Sequence, residues 1–148
     1  MSATPLDHSK LTTLVGYVAS RAALVLRKDF ERSLGPLGLK VLDYSLLVLV
    51  ASNAEVNQKQ LGEALDISAP NMAITIDRLV ERGWVERVRS TQDRRAMIIH
   101  LTAAGRELVK RAQKIAATME EQSLARLSPA ERALLVELLV KVGLRAAA

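Results

Sequence analysis

The sequence predicts an α+β fold, mostly helical, with one β-hairpin. Three observations carry that reading. Apolar residues recur at spacings of three and four through most of the 148 residues. One short stretch, 84–101, switches to strand-like composition and a period of two. Gly, Pro, Ser and Asn stand at the joints between these segments, where chain reversals and helix caps need them.

Leu11, Leu14, Val15, Val18, Ala22 and Val25 line one face of a first helix over residues 8–32. Gly35, Pro36 and Gly38 end it. Residues 39–52 read as a second helix, apolar on most sides after Ser45 and therefore buried. Asn57 with Gln60 three positions on is a capping-box pattern, and it opens a short third helix over 58–65. Asp66 and Ile67 turn the chain. Ser68 then suits an N-cap, and Pro70 is tolerated in the first turn that follows.

In the fourth helix Met72, Ile76, Leu79 and Val80 form the apolar stripe, and Gly83 is a natural stop. Pro70, Asn71, Ala73, Ile74, Asp77 and Arg78 lie on the opposite face. A short helix, a tight turn and a second helix with its own polar face make a helix-turn-helix. Residues 84–89 and 96–101 read as two strands, the second alternating Met97, Ile99 and Leu101 against Ala96, Ile98 and His100. Between them residues 90–95, polar and basic, form a hairpin tip. A helix-turn-helix followed at once by a basic hairpin is a winged helix.

Thr102 is placed to cap a fifth helix over 103–127, with Leu108, Ala112, Ile115 and Met119 on one face. Ser128, Pro129 and Glu131 start a last helix that runs to about residue 144 and carries Leu134, Leu135, Leu138, Leu139 and Val142 on one side. No internal repeat and no linker interrupts the chain, so residues 1–148 read as one domain.

Composition narrows the function. Apolar residues make up 49% and charged residues 25%, which is globular rather than disordered. The longest apolar run, 46–51, is far short of a membrane span, and residues 1–11 lack the apolar core of a signal peptide. A cytoplasmic protein with no membrane association is the expectation. Without cysteine there is no disulfide, thiolate zinc site or thiol switch. His8 and His100 stand alone, so no metal site is expected and no cofactor is implied.

Lys and Arg outnumber Asp and Glu by 21 to 16, and the pI is about 9.9. The excess is concentrated where the motif lies. Between Arg78 and Arg95 are six arginines, three acids and no lysine. Arginine is the better fork for phosphates and base edges, which points to a nucleic-acid-binding protein. No Gly-rich phosphate loop or Ser-His-Asp set points to an enzyme.

The runs Gln60-Leu61-Gly62-Glu63-Ala64-Leu65, Asp77-Arg78-Leu79-Val80-Glu81-Arg82-Gly83-Trp84-Val85-Glu86-Arg87, Asp93-Arg94-Arg95-Ala96 and Leu101-Thr102-Ala103-Ala104-Gly105-Arg106 resemble the MarR family of bacterial transcriptional regulators. The resemblance is dense over the central 50 residues or so, and the flanking helices fit it in order and length. It implies a homodimer whose dimerisation helices lie in residues 1–34 and 103–148, flanking a DNA-binding winged helix over 39–101. Two recognition helices about one turn of B-DNA apart, roughly 34–36 Å, then address a pseudo-palindromic double-stranded operator. It also implies a repressor released by a small aromatic carboxylate or phenolic effector. A winged-helix interaction module that reads no DNA sequence is the alternative.

Site expectations follow. Arg94 and Arg95 at the hairpin tip are the groove probes, because a narrow minor groove concentrates negative potential; Asp93 supports the wing through a forked ion pair. The family often carries Thr or Ser followed by Arg or Lys where this chain has Ala73 and Ile74, so the usual base-reading cation is missing. Asn71 can still reach adenine, and Ala73 and Ile74 thymine methyls, which suggests an A·T-leaning half-site. Pro70 shares that face, while Ser68 and Arg78 are placed as phosphate clamps. Trp84 is a packing anchor. For the effector, Tyr17 and Arg21 lie one turn apart, and Tyr44 and Ser45 open the second helix. Arg21 could pair with a carboxylate between tyrosine walls; plain amphipathic packing explains the same residues.

Overall fold

The computed structural model describes residues 6–93 and 95–144, so Arg94 lies outside the described residues. The chain divides into two compact units, one of Phe30–Thr118 and one of Met1–Asp29 with Met119–Ala148. In order the elements are α1 (Val15–Leu34), a 3₁₀ turn (Gly35–Leu37), α2 (Val41–Ser52), α3 (Gln58–Leu65), α4 (Ala69–Glu81), β1 (Val85–Arg89), β2 (Met97–Leu101), α5 (Ala103–Ala116) and α6 (Pro129–Gly143). The molecule is thus mostly helical with one two-stranded sheet. The strands pair antiparallel, from Val85 opposite Leu101 to Arg89 opposite Met97.

The core of the central unit is built by periodicity. Met72, Ile76 and Leu79 of α4 are fully buried, as are Leu34 at the end of α1, Leu46 of α2 and Ala112 of α5. Each such large side chain contributes about 1.5–3 kcal/mol by leaving water. This unit is wider than residues 39–101, since Phe30, Leu34, Leu108, Val109 and Ala112 all bury within it. Thr75 takes the place expected for Val80 on the buried stripe; its hydroxyl donates back to the Asn71 carbonyl, whereas Val80 stays exposed.

The caps explain why the helices start where they do. Asn57 and Gln60 exchange bonds of 2.9 Å each at the head of α3, and Ser128 and Glu131 exchange bonds of 2.8 and 3.3 Å at the head of α6. Ser68 occupies the N-cap of α4, but its hydroxyl makes no capping bond. Pro70 removes one of the two N–H groups it would serve. The first helix begins at Val15 rather than at residue 8. The Thr12 and Thr13 hydroxyls donate to the carbonyls of Ser9 and Lys10, local bonds that compete with a regular helix. The fifth helix ends at Ala116 and turns follow to residue 127. Glu120 and Glu121 would sit at its negative end, and Thr118 and Ser123 favour helices weakly.

Thr102 fastens the hairpin to α5. Its hydroxyl donates to the Gly83 carbonyl at 2.6 Å and accepts the Gly105 N–H at 3.0 Å, while its own N–H reaches the Trp84 carbonyl. A Cβ at Gly105 would lie 1.9 Å from that carbonyl oxygen, so only glycine fits. In β2 the expected alternation fails, because Ile98 and Ile99 are both buried and Met97 is exposed. The chain at 55–56 runs along the other edge of this strand, where the Ile99 N–H donates to the Val56 carbonyl.

Candidate nucleic-acid interface

The outward face of α4 is a product of the buried one. With Met72, Thr75, Ile76 and Leu79 turned inward, helical geometry leaves Pro70, Asn71, Ile74 and Asp77 exposed and Ala73 at the margin. Ile74 is 66% exposed, which is unusual for a large aliphatic side chain in the middle of a helix that has a core to fill. Ser68 is exposed at the head of the same helix.

Two charged residues of this helix, Asp77 and Arg78, are occupied. Both terminal nitrogens of Arg78 donate to Asp43, at 2.6 and 3.0 Å, and the carboxylate is completely buried. Asp43 also accepts the Lys40 N–H at the head of α2, so its charge is met by three donors. This pairing holds the Arg78 guanidinium more firmly protonated than usual, even against its partial burial. The fork of Arg78 thus ties α4 to α2, while 32% of its side chain stays exposed. Asp77 pairs with Arg87 of β1 at 2.6 Å. Arg82 donates to the Gly38 carbonyl and lies 4.6 Å over the ring of the half-buried Trp84. Gly38 has φ +76°, and a Cβ there would meet the Arg82 fork at 2.9 Å.

At the hairpin tip Arg95 is exposed. Asp93 supports it differently from the expected forked ion pair: its carboxylate accepts the backbone N–H of Arg95 at 2.9 Å. It shapes the turn rather than holding that guanidinium. The root of the hairpin is tied to Glu55, whose carboxylate accepts from Ser90 Oγ, Thr91 Oγ1 and the Thr91 N–H. Those hydroxyl bonds, Thr91 before Ser90, hold its pKa below the usual glutamate value. Neither Glu55 nor Asp43 was singled out from the sequence. Asp43 had a signal, a lone carboxylate three and four places before Leu46 and Leu47 on a buried helix; Glu55, one acid in a polar loop, had none.

The effector candidates fall in different units. Tyr17 is half-buried with its hydroxyl 2.8 Å from His8 Nδ1, and Arg21 is exposed. In the central unit Tyr44 meets Phe30 edge-on at 5.9 Å, and burial pushes its hydroxyl pKa up. Ser45 Oγ donates to the Val41 carbonyl. Among the described residues no cluster of His, Asp and Glu could hold a metal, and no single helix is long and apolar enough to cross a membrane.

Fold and site together define a winged helix-turn-helix protein. A family model described as MarR family matches residues 37–96. The repressor CouR, solved on a 23-mer DNA duplex, is 34% identical; the match covers 94% of this chain and 99% of that one, with a TM-score of 0.86. CouR from Rhodococcus jostii RHA1 bound to p-coumaroyl-CoA is 26% identical, over 93% and 97% of the two chains, with a TM-score of 0.83. An HTH-type transcriptional repressor of Mycobacterium bovis is 28% identical over 129 residues, 87% of this chain and 93% of its own length. The chain belongs to the MarR family, and these relatives are transcriptional regulators rather than enzymes.

Proposed function

We propose that this chain is a homodimeric transcriptional repressor that binds a pseudo-palindromic operator and leaves it when an aromatic ligand binds. The observation that carries the reading is the 34% identity, over nearly the whole chain, to a repressor solved on duplex DNA. The exposed face of α4 and the exposed Arg95 support it physically, since a helix end enters the major groove while a projecting guanidinium suits the minor groove. Asn71, Ala73 and Ile74 read bases, Pro70 packs at the helix entry, Ser68 contacts phosphate, and Arg94 with Arg95 probes beside the α4 site. Tyr17, Arg21, Tyr44 and Ser45 are the ligand residues proposed.

The second protomer covers apolar surface that one chain leaves open. Leu134, Leu135, Leu138 and Leu139 of α6 are all substantially exposed, and α6 buries no residue. As for the ligand, CouR was solved with the thioester of a phenolic acid. Free aromatic acids and their coenzyme A thioesters are accordingly the two classes to compare.

The test is fluorescence anisotropy on DNA upstream of the chain's own gene and on genome fragments selected by binding, against scrambled DNA, across a salt series. Selective binding that falls with log salt, with a slope of about −0.9 per phosphate neutralised, is expected. Addition of one ligand class should release it. Equal, weak binding to every DNA, with no fragment selected, overturns the repressor reading and favours an interaction module; the engaged state of Asp77 and Arg78 is the observation on that side.

A further inference from the structure

We infer that Glu55, in the connection between α2 and α3, is a positioning residue for DNA binding: it sets the shape in which the hairpin presents Arg95. The inference rests on the repressor reading above. It starts from a continuous run of hydrogen bonds. Ser90 Oγ donates to Glu55 at 2.8 Å, and Thr91 donates to it through Oγ1 at 2.7 Å and through N–H at 3.3 Å. Ser90 is only 5% exposed. With its hydrogen directed at Glu55, its oxygen is free to accept, and it takes the N–H groups of both Gln92 and Asp93 at 3.1 Å. Asp93 in turn accepts the Arg95 N–H, the Ala96 N–H donates to the Asp93 carbonyl, and the Ser90 N–H closes the loop on Ala96.

Each step constrains the next. A serine hydroxyl rotates freely unless something takes its hydrogen. Glu55 takes it, which fixes the direction of the lone pairs that organise residues 92 and 93. Those residues place the Asp93 carboxylate under Arg95. The anchor itself cannot drift, because the adjacent Val56 carbonyl holds the Ile99 N–H of β2 at 2.8 Å. A carboxylate suits three donors, as it offers two oxygens and about four lone-pair sites and carries no competing N–H. A glutamine keeps one acceptor oxygen and loses the other.

The carboxylate is also a negative charge beside a hairpin that approaches phosphates. Its role must therefore be to bind the hairpin and not the DNA. An incidental surface acid would make neither the three bonds nor the relay.

A double-mutant cycle with Arg95 tests this on the full-length protein and its selected operator at low salt. Glu55→Ala should lower operator affinity about tenfold, yet change it less than twofold when Arg95→Ala is already present. Glu55→Gln should fall between wild type and Glu55→Ala. Amide exchange should accelerate at residues 90–96 while the melting temperature stays within a few degrees. Equal losses in both backgrounds, no loss at all, or a loss accompanied by melting of the whole unit overturns the inference. So does an Arg95→Ala variant with wild-type affinity while Glu55→Ala is impaired, since Glu55 would then act elsewhere. If wild type selects no operator, the repressor reading falls first and this inference with it.

Discussion

α4, in the central unit, and α6, in the other, are both rich in apolar residues. α4 buries Met72, Ile76 and Leu79 completely, whereas α6 buries no residue and leaves Leu134, Leu135, Val136, Leu138, Leu139, Val140 and Val142 exposed. Their sequences differ in arrangement rather than in apolar content. The apolar residues of α4 gather on one stripe that α3 and β1 cover, while α6 carries its leucines on one side and Val136 with Val140 on the other. A helix apolar on two sides needs cover on both, and within this chain α6 buries no residue on either. The central unit is complete as a monomer; the terminal unit is half of something. Exposed apolar surface of that extent marks an interface.

Several changes would break or sharpen that contrast. The largest effect is expected in the terminal unit. Leu138→Asp places a charge in the proposed dimer contact, so sedimentation velocity should show monomers. Operator affinity should then fall by about 100-fold or more as the avidity of two linked half-sites is lost. A dimer that survives this change would place the interface elsewhere.

In the central unit the matching experiment removes one ion-pair partner. Arg78→Ala leaves the buried Asp43 carboxylate without its fork, and urea unfolding should show a loss of about 3 kcal/mol. That is the lower end for a broken buried pair, because the guanidinium is partly solvated. Arg78→Lys should recover little, since an ammonium cannot donate in parallel to both oxygens. A variant as stable as wild type that merely binds all DNA more weakly would make Arg78 a phosphate clamp before a structural tie.

A smaller effect reads the face of α4. Replacing operator thymine by deoxyuridine removes only the C5 methyl, worth about 0.8 kcal/mol if Ile74 covers it. Competition binding should show a roughly fourfold loss at one thymine per half-site by the same arithmetic, and no loss in Ile74→Ala. Indifference of wild type to every such substitution would remove Ile74 from base reading.

The smallest effect concerns pH. Bonds from the Ser128 N–H and then its hydroxyl hold Glu131 below its ordinary pKa, as bonds from Thr91 and Ser90 do for Glu55. A depressed carboxylate stabilises the fold fully above its unfolded pKa and loses that contribution as pH falls through the folded one. Both contributions should hold at neutral pH and fade only in the acid range. Circular dichroism should show α6 fraying there in wild type, with Glu131→Gln flattening that limb of the curve. Fraying near neutrality would reverse the assigned direction.

Much of the fold was legible because its causes are local. Asn57 with Gln60 and Ser128 with Glu131 formed the capping boxes that their spacing of three announced. Ala69–Glu81 appeared as a helix with its stripe inward because 3.6-residue periodicity needs no knowledge of the partner. The shifted ends of α1 and α5 have local causes that periodicity does not weigh, whereas the burial pattern of β2 does not come from its own residues. Ile98 and Ile99 are both buried and the Val56 carbonyl pairs with the Ile99 N–H at the edge of β2, and no alternation within 96–101 contains that information. At Asp93 the sequence suggests one contact and the turn adds another. Acid and arginine side by side suggest a fork, but the tight turn brings a backbone N–H closer.

The amino-acid order alone therefore determined the helix-turn-helix, the hairpin, the basic character of residues 78–95 and the surplus of apolar surface in the last helix. Tertiary structure decided which arginines remain available. Arg78 finds Asp43 across 35 positions, and Ser90 finds Glu55 across the same interval. Such pairings depend on where folding brings two segments together, so charge counted along a chain overstates the charge left for a ligand. A buried carboxylate must be neutralised by whatever cation the fold places beside it, and here that cation comes from α4, the helix proposed to read DNA.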